Sequence, residues 1–351
     1  MSETAQRTAG ETGAPQRGQA GAGGGLGGAL MRFLRLLGRQ REATVFVIAA
    51  ALFLYFLIDK GSDFTSKANM VTLFSDDVAP YAIIALGEVF LLICGEIDLS
   101  VGFVVGFAPY LLHYLTDFYG FPGLLAIFFA LLLGVAVGWV NGFFTVTLGL
   151  PSFITTLGTG FILLGLIDTL SHDQPAAVPA DVVGIGKWIQ YYAFAPIVWA
   201  VALAAVFHVV LTRTRWGLHT VSVGGNLLGA REAGINVNRI KYGNFMLCGL
   251  LGAFVGLQQM YYTNNIAPTA GSYQWMFYAV TAAVIGGTAM LGGVGTIIGA
   301  FFGAVVLGIL LDGFPLIGVS ADPLYIIFGA AILVSMVGNV QLTRLRERGQ
   351  S

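Results

Sequence analysis

Gly95-Glu96-Ile97-Asp98-Leu99-Ser100-Val101-Gly102 sets two carboxylates and a hydroxyl between two apolar runs, Val78–Cys94 and Val101–Leu115. A charge at membrane depth costs on the order of a few kcal/mol, so acids inside or beside a membrane segment mark a functional site by default. The flanking glycines let a helix break here. Membranes tolerate a break only where the freed backbone packs on protein or lines a cavity. The alternative is a short polar loop at the membrane surface, and the residues of this stretch alone leave both readings open.

Working outward, the rest of the chain supplies the membrane. Its 351 residues are 56% hydrophobic and 10% charged, with a mean hydropathy of +0.81. Soluble domains carry about a quarter charged residues, so the deficit predicts an all-α polytopic protein in contact with lipid. The net charge of −1 gives no electrostatic case for a nucleic-acid partner. Cys94 and Cys248 both sit in apolar runs, which argues against a disulfide framework and a metal site. Glycine, at 49 residues, is about twice its usual ~7% share and reads as close helix packing. Residues 1–40 are Gly/Ala/polar and then Arg-rich, and are expected to form a disordered cytoplasmic tail. Because this tail precedes the first apolar run, that run is expected to remain as an anchor.

A helix crosses with about 20 mostly apolar residues. On that criterion ten spans are expected, near 43–59, 77–95, 100–117, 123–148, 152–170, 192–211, 242–262, 275–291, 296–314 and 322–339. They form a permease domain over 41–340, followed by a cytoplasmic tail at 341–351. With both termini inside, 14 of the 17 Lys/Arg fall on the cytoplasmic side, and only Lys60, Lys67 and Lys187 fall outside. That asymmetry is the positive-inside rule. Gly134, Gly138 and Gly142 in span 4 are echoed by Gly295, Gly299 and Gly303 in span 9. Pro151-Ser152-Phe153-Ile154 is echoed by Pro323-Leu324-Tyr325-Ile326. Matching features in spans 4–5 and 9–10 predict two inverted five-helix halves. The glycine triplets themselves read as packing strips.

Four residues are candidates for the pathway or its gate: Glu88, Glu96, Asp98 and Ser100. Glu88 and Glu96 are eight apart and on one helix would share a broad face, lining a polar path or binding a cation. Alternatively Asp98 or Ser100 caps the next helix, since acids suit its positive end. Glu96 and Asp98 repel when both are charged and partly desolvated, unless a cation or helix terminus compensates.

The loop 212–241 holds the second candidate group. Asn226 is a plausible N-cap and Gly234 a plausible C′ residue of a two-turn helix through Leu227, Leu228, Ala230, Arg231, Glu232 and Ala233. So short a helix needs something to pack on. A groove on a partner and the membrane interface both remain open. A third group is Tyr261, Tyr262, Asn264, Asn265, Tyr273, Gln274 and Trp275. It suits either a hydroxylated solute or an interfacial aromatic belt.

Gly95–Gly102 resembles the GGIDLSVG segment of the sugar-permease subunits of ATP-binding-cassette importers of the ribose/xylose/arabinose type. Gly224-Gly225-Asn226 through Ala233-Gly234-Ile235 resembles the same family's coupling loop. Ile285-Gly286-Gly287 to Gly292-Gly293-Val294-Gly295-Thr296-Ile297-Ile298-Gly299 resembles its GGxSLxGGxGTxxG segment. Together the three cover roughly 75–340. Glu96 departs from the more usual glycine, and Thr288-Ala289-Met290 from the serine-containing form.

The resemblance implies a homodimer in the cytoplasmic membrane of a prokaryote that moves a monosaccharide or polyol. A separate ABC ATPase would dock on the coupling helix, and an extracytoplasmic binding protein would deliver solute. The chain lacks a Gly-x4-Gly-Lys-Ser/Thr phosphate loop. ATP is therefore expected to act on the partner, with no cofactor, metal or bond chemistry on this chain. The rivals are an ion-coupled secondary carrier using Glu88, Glu96 and Asp98, and a branched-chain amino-acid permease of the same superfamily.

Overall fold

The computed structural model describes residues 41–189 and 192–319, together with 325–327, 329–330, 333 and 337. The tails expected at 1–40 and 341–351, and most of the span expected at 322–339, lie outside the described residues. Among those described the secondary structure is helical, apart from one antiparallel bridge joining Ala176 to Ile266.

The helices are α1 (Arg41–Lys60), α2 (Ala79–Ile93), α3 (Val101–His113), α4 (Gly123–Gly142), α5 (Ser152–Ser171) and α6 (Ala180–Ile189). They continue with α7 (Ala195–Arg213), α8 (Arg215–Gly225), α9 (Leu227–Glu232), α10 (Val237–Thr263), α11 (Ser272–Ile285) and α12 (Ile297–Leu316). A five-residue helix, Lys67–Val71, and a wide π-turn, Thr72–Val78, run unbroken into α2, and wide π-turns extend α3 and α4 at Tyr114–Phe118 and Phe143–Thr147.

Seven helices among the described residues are long and apolar enough to cross a membrane. They match the expected spans 1, 3, 4, 5, 6, 7 and 9. Spans 2 and 8 differ. Helix α11 has 14 residues, about 21 Å at 1.5 Å per residue, short of a hydrocarbon core of about 30 Å, whereas α2 continues an unbroken helical run that begins at Lys67 and carries Asp76, Asp77 and Glu88. The chain stops each of them with glycine inside the bundle: span 2 at Gly95, where the break was expected, and span 8 at Gly286-Gly287, where continuous apolar composition suggested an unbroken span.

All 15 residues of α2 are buried, and α7, α8, α10, α11 and α12 surround it. A helix that is apolar all round belongs in the interior. The outer helices show large apolar side chains instead: Ile58, Leu124, Phe153 and Ile162 are all exposed. This is the surface that lipid solvates, and between such helices there is no hydrophobic drive to associate.

Close backbone approach supplies the attraction. On α4, a β-carbon at Gly134 would meet the Gly249 carbonyl oxygen of α10, and one at Gly138 the Phe245 carbonyl. Gly142 lies against the Tyr242 ring. On α12, Gly299 and Gly303 lie against the carbonyls of Gly286 and Ala282. Gly295 does not continue that strip, because α12 begins at Ile297; it packs on Ile93 and Thr288.

The spacing sets up a direct comparison. Gly138→Val forces α4 off α10 and is expected to cost about 1–3 kcal/mol or more, as overpacking does. Gly158→Val, on an exposed face of α5 with nothing within 4 Å, is expected to cost little. Melting of the two detergent-purified variants checks this, and equal melting temperatures would show that the α4–α10 contact tolerates separation.

Candidate functional site

Helix α10, at 27 residues, is the ruler of the bundle. Helix α2 runs against it, with Gly87 on Cys248, and α3 runs with it, with Gly252 on Val101 and Gly256 on Val105. The first residue of α3 thus meets α10 near its midpoint. The chain from Cys94 to Ser100 is non-helical backbone folded back into the interior, and Asp98, Leu99 and Ser100 are buried.

Glycine chemistry makes the break. Gly95 has φ +74°, its N–H bonds the Leu92 carbonyl, and the Glu96 N–H bonds the Leu91 carbonyl. This pairing is the Schellman termination, which needs a left-handed residue that glycine adopts freely. The end of α11 repeats it: Gly287 N–H bonds Val284, and Thr288 N–H bonds Ala283. The sequence reading carried span 8 through Gly286-Gly287, although the glycine pair was the available stop signal.

Three of the freed amides beyond Glu96 find side-chain partners. Ile97 N–H reaches Ser152 Oγ at 3.3 Å and Asp98 N–H reaches Glu88 Oε2 at 3.5 Å. Ser100 N–H donates to Asp98 Oδ1 at 2.9 Å. The Ile93 carbonyl accepts from Gly293 N–H at 2.8 Å, tying this corner to the second broken segment.

A polar knot then closes around Asp98. Ser100 Oγ donates to Asp98 Oδ1 at 2.6 Å, and Asn141 Nδ2 spans Asp98 Oδ1, Oδ2 and Ser100 Oγ at 3.2, 3.3 and 2.8 Å. Thr159 Oγ1 donates to Asn141 Oδ1 at 2.7 Å. Glu88, wholly buried, also accepts from Cys248 Sγ at 3.6 Å. Helices α2, α4, α5 and α10 all reach this corner. Ser100 stands at the N-cap of α3 without a side-chain cap bond; the carboxylate of Asp98 engages its amide instead.

Glu96 departs from its expected place. Helix α2 ends before it, so Glu88 and Glu96 share no helix face. Glu96 turns away from the knot and pairs with Lys241 Nζ on α10, the cation that compensates it. Lys241 and Arg239, expected in a loop, lie in the first turns of α10.

The 212–241 stretch folds as α8, α9 and the start of α10. Asn226 caps α9, accepting from Gly229 N–H at 2.9 Å. Gly234 ends it with φ +78° and the same glycine-terminated bonds, to Arg231 and Ala230. Ala230 packs with Cys94, Val223, Val237 and Ile240, while Leu227 and Leu228 point outward at 38% and 69% exposure. A β-carbon at Gly224 would collide with the Ile93 carbonyl, so α8 rests directly on the broken corner.

The aromatic and amide group divides. Tyr261 donates to Val182 at 3.1 Å, and Tyr273 stacks edge-on with Phe103. Gln274 donates to Tyr278 and Tyr325. Asn265 and Trp275 line a cavity of 230 Å³ with Pro109, Gln259, Thr263 and Thr269. Gln259 Nε2 donates to Asp76 Oδ1 at 3.1 Å, and Asn69 Nδ2 to Asp312 Oδ2 at 2.8 Å. The sequence reading passed over Asn141, Lys241, Asp76 and Gln259. A lone amide in an apolar run was the signal for the first, and an acid pair at the head of span 2 for the third.

Helices broken at a buried polar corner, inside a lipid-facing bundle, define a multi-pass membrane transport protein. The chain belongs to the family described as branched-chain amino acid transport system / permease component, which matches residues 69–336. It is 33% identical over 305 residues to the xylose/arabinose import permease protein XylH of Sulfolobus acidocaldarius, covering 85% of each chain. It is 33% identical to the ribose import permease protein RbsC of Escherichia coli K12, over 73% of this chain and 81% of that one. The fructose import permease protein FrcC of Rhizobium meliloti is 29% identical over 88% and 87%. No solved structure matches the chain.

The ion pair yields a cycle of variants. Lys241→Met leaves Glu96 unpaired at a site where the two side chains are 16% and 12% exposed. The expected cost lies below the ~3–5 kcal/mol of a fully buried pair, because residual solvent screens it. The reversed pair, Glu96→Lys with Lys241→Glu, is expected to recover part of the loss. Thermal melting of the two variants decides; a Lys241→Met variant as stable as the parent would leave the pair without energetic weight.

Proposed function

We propose that this chain is the membrane-spanning subunit of an ATP-driven importer for a monosaccharide or related polyol. The observation that carries the reading is the match, over 85% of each chain, to a xylose/arabinose import permease, with ribose and fructose permeases beside it. The family description names branched-chain amino acids, but a zwitterion asks for paired charges. The cavity beside Trp275 is lined by neutral groups alone.

In this reading the chain pairs as a homodimer, an ATPase binds inside and a binding protein delivers solute outside. Lys/Arg asymmetry supports cytoplasmic termini. With a tenth span over 322–339 the helices form two inverted halves. Two kinds of contact support that: α4 packs on α10 as α12 packs on α2, and α3 and α11 meet at Gly102 and Ser272. The ATPases select between inward and outward states because nucleotide binding favours one of them.

Proteoliposomes holding this chain with its ATPase and binding protein are expected to accumulate D-xylose, D-ribose or D-fructose only when ATP is supplied. The purified chain alone is expected to hydrolyse no ATP above an empty-vector preparation. Uptake by the chain alone on an ion gradient would establish the secondary-carrier reading instead.

Helix α9 is the proposed ATPase contact, since Leu227 and Leu228 have their apolar surface outward while Ala230 anchors the helix. Burial of a leucine is worth ~1.5–3 kcal/mol, and ~1.4 kcal/mol is a factor of ten in affinity. Leu227→Ala/Leu228→Ala is therefore expected to weaken ATPase co-purification tenfold or more and to abolish uptake, with unchanged melting of the permease itself. Normal co-purification would make α9 an interfacial segment.

A further inference from the structure

We propose that the cavity between the outer half of α10, Pro109 of α3 and the segment 265–270 is a solute station selecting one neutral, polyhydroxylated molecule. This deepens the sugar reading and rests on it. Three observations converge on it.

The first is the make-up of the wall. Its polar lining is Gln259, Thr263, Asn265, Thr269 and Trp275, and the wall carries no charged side chain. A carboxylate or ammonium ligand would find no counter-charge there, whereas hydroxyl groups need only amides and hydroxyls.

The second is the hydrogen-bonding capacity left on that wall. Gln259 commits its amide nitrogen to Asp76, which fixes the plane of the amide. Its carbonyl oxygen has no partner among the described residues. The same holds for the Asn265 amide, the Thr269 hydroxyl and the Trp275 indole N–H. Donors and acceptors are thus both available, as a sugar hydroxyl requires, since it donates and accepts at once.

The third is the aromatic wall. Trp275 is held edge-on against Tyr81, ring centroids 5.3 Å apart at 70°, and Tyr81 is held by Tyr278 in turn. A fixed indole offers an apolar surface to the C–H groups of a sugar ring at little entropic cost. The backbone behind the site is also fixed. Gly271, with φ +88°, lies against the Gly102 carbonyl, and Ala270 against Gly106. The station is therefore seated on the first turns of α3, the helix that starts at the polar knot, and movement of that helix reaches it directly.

Gln259 and Trp275 are accordingly specificity-determining residues, and Asp76 is a positioning residue acting through Gln259. The test uses the complete transporter in proteoliposomes, with its ATPase and binding protein, and D-xylose, D-ribose, D-fructose and L-leucine as probes. Trp275→Ala and Gln259→Leu are expected to lower sugar moved per ATP hydrolysed about tenfold, with assembly and binding-protein-stimulated hydrolysis retained. Asp76→Asn is expected to lower it less, and Trp275→Phe to keep most of it.

Uptake and hydrolysis falling together in proportion would make these residues structural and overturn the proposal. Unchanged sugar uptake per ATP would place the station elsewhere and leave the sugar reading standing. Transport of L-leucine but of no sugar by the parent would overturn both.

Discussion

Stopping a helix inside a membrane bundle strands several backbone groups where no water can reach them, each costing several kcal/mol if left unpaired. The corner from Cys94 to Ser100 answers with a partner for each amide from Gly95 to Asp98 and for that of Ser100. The partners come from α2 itself, from α5 and from the carboxylates of Glu88 and Asp98. Those carboxylates are in turn held by Ser100, Asn141 and Cys248. The bundle is arranged around this requirement: Gly134 and Gly138 let α4 lie on α10 and deliver Asn141, and Gly160 lets α5 lie against Ser100 and Phe103 and deliver Thr159.

The same corner is where the parts of the molecule meet. Ile93 touches the second broken segment through Gly293 and the end of α8 through Gly224. Cys94 packs with Ala230 of α9, and Glu96 binds the head of α10. One turn of chain therefore adjoins the two broken helices, the two short helices of 212–241 and the polar knot. Helices α8 and α9 thus both rest directly on this turn.

The polar inventory separates into two systems with different chemistry. Around Asp98 the carboxylate oxygens are taken by protein donors, which gives a rigid joint. Around Trp275 and Gln259 donors and acceptors are left over beside a cavity. Acids drew attention in the sequence because they are rare in apolar runs, yet here they serve the backbone. The amides and aromatics, common enough to read as an interfacial belt, line the open space.

Much of this was legible in order of residues. Apolar length and the charge deficit determined an all-helical membrane protein, because the bilayer leaves few other ways to satisfy a backbone. Local rules placed the cap at Asn226 and the stop at Gly234, since both involve only near neighbours in the chain. What only the tertiary structure decided were relations between distant residues. Lys241 meets Glu96 across 145 positions, and Asn141 meets Asp98 across 43. The end of α11 was misread for a related reason. Glycine within an apolar run can pack a helix or end one, and which it does depends on whether surrounding segments supply partners for the backbone it releases.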